Sequence, residues 1–151
     1  MIHNDTIELL KECNAGIKMG IESINDVLDN IENENFKNLL SDSKKKHEEL
    51  GNETHSLLNQ YEDDGKEPNA MAKTMSKIKT TFMLSFNETD NTVADLITDG
   101  CNMGVKSLNK YLNKYKAAEE QAKDIAKRRI NIEEKLAINI RRTRERALYD
   151  K

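Results

Sequence analysis

The chain has 151 residues, a mass of 17.3 kDa and 24 basic against 27 acidic side chains, for a formal charge of −3 at neutral pH. That near balance excludes nucleic acid or an anionic membrane surface as the main partner, and the length suffices for one domain, residues 1–151, without disulfide or metal staples. One proline, six glycines, few aromatic residues and 34% charged residues point to an all-α protein with wet outer faces, and no stretch reads as a strand.

The opening residues MIHNDTIELL lack a basic region followed by an apolar one, and no run approaches the roughly 18 apolar residues of a membrane span. The expectation is a cytoplasmic protein that does not enter a membrane. Two cysteines without a Cys-x-x-Cys pair fit a reducing compartment and exclude a sequence-local zinc ribbon.

The first predicted helix starts near Asp5, where Asp5-x-x-Glu8 reads as a capping box, and runs to about Ile31. Leu9, Leu10, Cys13, Ile17, Ile21, Ile24, Val27, Leu28 and Ile31 recur at steps of three and four and define its apolar face. After a break at Asn33 to Asn35, a second helix carries Phe36, Leu40, Ser43, His47, Leu50, Thr54, Leu57 and Tyr61 along one seam. Asp63-Asp64-Gly65 and the sole proline, Pro68, end it. Residues 70–86 form a shorter amphipathic segment through Met71, Met75, Ile78, Phe82 and Phe86.

A third helix runs from about Asp90 to Tyr115, and a fourth continues to about Ala147 after a turn placed near Lys116 on length grounds. The inward positions of the fourth are Ala122, Ile125, Ala126, Arg129, Ile132, Glu133, Leu136 and Ile140. Its last turns carry Arg141, Arg142, Arg144 and Arg146, cations that suit the negative end of the helix dipole. Short joints make antiparallel hairpins of the first and last helix pairs, while a crossover over about 63–88 lets the second and third helices run parallel. Two hairpins joined by a long, partly helical crossover form a ferritin-like four-helix pattern.

One sequence frame occurs twice. Gly16 to Leu28 reads GIKMGIESINDVL and Gly100 to Leu112 reads GCNMGVKSLNKYL, sharing Gly-x-x-Met-Gly-x-x-Ser, although Cys13 to Lys18 also aligns with Cys101 to Lys106 one helical turn away. Each helical glycine costs roughly 1 kcal/mol relative to alanine. The reading that offsets this cost is a helix–helix close contact, with Gly16 and Gly20 meeting Gly100 and Gly104 across a pseudo-twofold axis. A glycine-lined pocket for a small apolar ligand is the alternative.

The Gly-x-x-x-Gly of the first helix, Phe36-x-x-Leu39-Leu40 and Leu50 of the second, the Gly65-x-x-Pro68 turn and the crossover helix together resemble a bacterial ferritin-like family of four-helix domains of unknown function. The resemblance spans roughly residues 5–147. It implies a ferritin-like bundle, and its wider superfamily includes di-iron oxidases and iron-storage cages, which place Glu-x-x-His on two helices and one Glu on each of the others. This chain lacks both motifs: Lys44 and Asn52 stand three residues before His47 and His55, and the fourth helix has no histidine.

The sequence therefore points to a non-enzymatic binding or interaction protein without an intact di-iron site and with no cofactor. Leu39, Leu58, Met83 and Leu84, slightly off the seams, suggest a homodimer. The alternative is a metal-binding or oxidoreductase protein holding iron or manganese at a nonstandard site that includes His47 and Glu133. His47, Arg129 and Glu133 read first as a structural polar cluster, and Cys13 and Cys101 as buried hydrophobes.

Overall fold

The structure is a computed structural model that describes residues 2–61 and 90–149. Four helices make up the described residues: α1 (Ile2–Leu28), α2 (Glu34–Gln60), α3 (Asp90–Lys114) and α4 (Glu120–Tyr149). At 1.5 Å per residue, the 27 residues of α1 and of α2 each span about 40 Å. Among the described residues there is no strand, and no helix is long and apolar enough to cross a membrane. The expected crossover segment, with Met71, Met75, Met83, Leu84 and the Gly65-x-x-Pro68 turn, lies outside the described residues.

The helices order themselves through contacts at their ends. Tyr61, after α2, packs edge-on against His3 of α1 and donates a 2.7 Å hydrogen bond to Glu119, before α4. At the opposite end Asp90, the first residue of α3, accepts from the backbone N–H groups of Glu32 and Asn33 in the α1–α2 joint, at 3.1 and 2.8 Å. Hence α2 ends where α1 begins, α3 begins where α1 ends, and α2 and α3 point the same way.

The α3–α4 joint is clamped in the same manner from α1. Asp5 accepts from Ala117 N–H at 3.1 Å, and the Thr6 hydroxyl oxygen accepts from Glu119 N–H at 2.8 Å. Each hairpin thus holds the other's loop with an aspartate near the start of its own first helix. The expected capping box does not form, because α1 already starts at Ile2 and the Asp5 carboxylate is turned outward to that loop. Asn33 caps α2 as the break in the pattern implies, its side chain accepting from Phe36 N–H at 2.9 Å.

The apolar residues form two clusters, one toward each end. Ile24, Val27, Phe36, Leu40, Val93, Ile97, Leu136 and Ile140 belong to the first. Leu9, Cys13, Ile17, Leu50, Leu58, Leu108 and Ile125 belong to the second. Leu58 is 0% exposed, so the seam of α2 continues by a step of four from Thr54 and the core takes Leu58 rather than the half-buried Leu57. Leu58 is therefore core, not a docking residue, and Leu39 packs partly buried against the first cluster.

The glycines do not bring two backbones together. A Cβ at Gly16 would overlap Arg129 Nη1, and one at Gly20 would meet the His47 ring at 3.2 Å, so the space they leave is filled by side chains of α4 and α2. Gly104 likewise faces Arg129 and Glu133, whereas a Cβ at Gly100 would meet nothing within 4 Å. The close-contact expectation is corrected on this point: Gly16 makes room for Arg129, Gly20 is tight against the His47 ring, a Cβ at Gly104 would be in ordinary contact with Arg129 and Glu133, and Gly100 is exposed.

Alanine should therefore act in opposite directions at two glycines of the repeated frame. Gly100→Ala is expected to raise stability by about 0.5–1 kcal/mol through helix propensity alone. Gly16→Ala is expected to lower it in spite of the same propensity gain, since the guanidinium must leave its seat. Urea midpoints of the two variants check this, and a stabilised Gly16→Ala would refute it.

Candidate functional site

Between the two apolar clusters lies one layer of buried polar side chains from α2, α3 and α4, packed against glycines of α1. Helix α2 supplies His47, 1% exposed, and α4 supplies Arg129 and Glu133 at 6% and 5%. From α3 comes Cys101, and α1 contributes Gly16 and Gly20, against which Arg129 and His47 pack. The i, i+4 spacing of Arg129 and Glu133 puts both on the inward face of α4 one turn apart.

Hydrogen-bond geometry fixes the protons. His47 Nδ1 lies 2.8 Å from the carbonyl oxygen of Ser43, an obligate acceptor, so Nδ1 carries a hydrogen and donates it. Nε2 lies 2.7 Å from Glu133 Oε1, which requires a proton between those two atoms. One proton is shared between His47 Nε2 and Glu133 Oε1, and the pair is neutral as a unit.

The same carboxylate receives two further donors. Arg129 Nη2 stands 3.5 Å from Glu133 Oε1, and the Cys101 thiol donates to the Glu133 side chain. Burial pushes the Glu133 pKa up, but the His47 hydrogen bond and the positive charges of Arg129 and His47 outweigh it. The carboxyl is held below its ordinary value of 4.5. Both thiols move the other way. Burial drives Cys13 up to about 12 against the pull of Arg129, and burial together with the Glu133 charge drives Cys101 up as well. Neither cysteine is in a disulfide, and a thiol held protonated is a poor nucleophile.

The structure thus brings together His47, Arg129 and Glu133, as the periodicity of α2 and α4 implies, and buries both cysteines. Sequence reading missed that Cys101 bonds to Glu133 and that Gly16 makes room for the arginine. The signal was present in the i, i+4 placement of Gly16 and Gly20 on the face opposite Arg129. Two buried polar residues of α1, Thr6 and Asn14, also went unnoticed, since their neighbours in sequence fit an apolar stripe. His55 is exposed.

For metal chemistry, His47 and Glu133 are the candidate ligands, and here they bond to each other. A nitrogen and an oxygen 2.7 Å apart share a proton, whereas two ligands on one ion at about 2.0–2.1 Å each stand further apart. Arg129 places a positive charge on the same carboxylate. Among the described residues no three or more His, Cys, Asp or Glu side chains are grouped so as to hold a metal ion. Compared with protein-family models, curated proteins and solved structures, the chain matches none.

Glu133 gives the layer a defined pH response. Because its folded pKa is depressed, its contribution is fully present above the unfolded value near 4.5 and is lost as pH falls through the lower folded value. Glu133→Gln, which leaves the buried Arg129 guanidinium facing a neutral amide, is expected to cost about 3–5 kcal/mol at neutral pH. The difference from wild type should shrink below pH 4.5, and urea unfolding at pH 7 and pH 3 measures it. An equal difference at both would show that the carboxylate charge is not what matters.

Proposed function

We propose that this chain is a ferritin-like helical bundle without enzymatic activity, a cytoplasmic binding or interaction protein that works through its surfaces as a homodimer. The observation that carries the reading is the closure of its only buried ionised layer among the described residues. His47, Arg129 and Glu133 are each at least nine-tenths buried and meet at the Glu133 carboxylate, and the room left by Gly16 and Gly20 is taken by their own side chains. A catalytic group must reach a substrate, and these do not.

The parallel course of α2 and α3 supports the ferritin-like part of the reading, because a chain linking them has to travel the length of the bundle. Self-association is supported by Met103 on α3 and Ile138 on α4, the large apolar side chains most exposed among the described residues, at 59% and 39%. The grooves beside α4 are mixed in charge. One is lined by Asp42, Lys46, Glu53, Arg128 and Lys135, and neither sign prevails. Arg144, near the basic end of α4, is paired with Asp95, which argues for a solvated helix end rather than a phosphate site.

Elemental analysis tests the central statement. Protein purified without oxygen and then offered Fe(II), Mn(II) and Zn(II) should retain no near-stoichiometric metal after desalting. Iron or manganese held near one ion per chain, and lost in both His47→Ala and Glu133→Ala, would replace this reading with a metalloprotein using a nonstandard site. Light scattering at micromolar concentration should give twice the 17.3 kDa chain mass; a strictly monomeric mass would remove the dimer.

A further inference from the structure

The polar layer is satisfied in hydrogen bonds at Glu133 but not balanced in charge. Nδ1 of His47 donates to a carbonyl oxygen and Nε2 shares a proton with Glu133, so the His47–Glu133 pair is neutral as a unit wherever that proton sits. Among the described residues Arg129 then leaves one positive charge uncompensated in the core. Among the described residues its sole direct carboxylate contact in the layer is long, at 3.5 Å, and its buried Nε–H has no hydrogen-bond partner. An uncompensated buried cation is costly, and a buried N–H without an acceptor adds to that cost.

The surroundings of the guanidinium are unusual for a buried arginine. Nη2 lies 3.8 Å from where a Gly20 Cβ would be and 3.6 Å from a Gly104 Cβ, and neither glycine is fully buried. The Nε and Nη2 atoms form one edge of the guanidinium, the edge that takes an anion side-on. The Nε atom is itself buried, and α1 and α3 carry no side chain at the two positions beside Nη2.

We propose that Arg129 binds a small inorganic anion of the size of chloride on its Nε–Nη2 edge, beside Gly20 of α1 and Gly104 of α3. A water molecule there would accept from Nε–H and leave the charge unmet; an anion meets both needs. Of the remaining ionisable groups around the layer, Cys13 and Cys101 are held neutral, and Glu12 accepts a hydrogen bond from Tyr111, so among the described residues no carboxylate is seen to take the role. The inference does not depend on how the outer surfaces are used, and it needs no metal.

The probe is chloride itself, exchanged for gluconate at constant ionic strength with the wild-type chain. The Arg129 Nε–H resonance, assigned by its disappearance in Arg129→Lys, should shift along a single saturating curve. The melting temperature should rise over the same concentrations and then follow the logarithm of chloride. Arg129→Lys, which keeps the charge but lacks the two-nitrogen edge, should lose the saturating rise in melting temperature. A wild-type Nε–H resonance that does not move, or that drifts linearly without saturation, would overturn the proposal even if the lysine variant fails to fold. Loss of the metal-free reading above would leave the chloride curve unchanged, so the two can fail separately.

Discussion

The bundle is organised by a carboxylate where apolar packing alone would put a leucine. Glu133 sits midway along α4 at a core position, and ionising it there costs several kcal/mol unless it is paired and hydrogen-bonded. Three donors meet it: His47 from α2, Cys101 from α3 and Arg129 from its own helix. The partners impose further demands. Arg129 needs room, which Gly16 supplies, and His47 needs an acceptor for Nδ1, which the carbonyl of Ser43 supplies one turn earlier.

This constraint sets how the helices may slide. Apolar contacts tolerate a shift of one turn, since leucine and isoleucine seams are nearly self-similar along a helix. A hydrogen bond of 2.7 Å between α2 and α4 does not. We regard the layer as the element that fixes the register of both hairpins, with the reciprocal clamps of Asp5 on the α3–α4 joint and Asp90 on the α1–α2 joint fixing the two ends. The same closure that gives this register withdraws the ionised groups from solvent, which is why the surfaces rather than the core are where we look for function.

Much of this was legible in the chain. The steps of three and four in α2 and α4 placed His47, Arg129 and Glu133 on inward faces, and the gap between Lys114 and Glu120 falls where helix length required a turn near Lys116. Other features were not, for physical reasons. The purpose of Gly16 depends on a side chain of another helix far along the chain, and a repeated frame in two helices suggests symmetry between them rather than a shared arginine. Gly100 shows that the repeat is imperfect in space: its counterpart Gly16 is covered, whereas Gly100 faces outward. Leu57 and Leu58 could not be separated by period alone, because steps of three and four from Thr54 are both helical. Asp5 resembled a cap since carboxylates are favoured in first turns, yet its acceptor oxygens serve a loop more than a hundred residues later.

The most direct test of the central claim is a double-mutant cycle of His47→Leu and Glu133→Leu, with unfolding free energies from urea for both single variants and the pair. If the buried bond ties α2 to α4, the coupling energy should exceed about 1.5 kcal/mol, and the pair should be more stable than either single variant, which leaves one partner buried alone. Additive losses within about 0.3–0.5 kcal/mol would mean that the two residues act independently and that apolar packing alone sets the register.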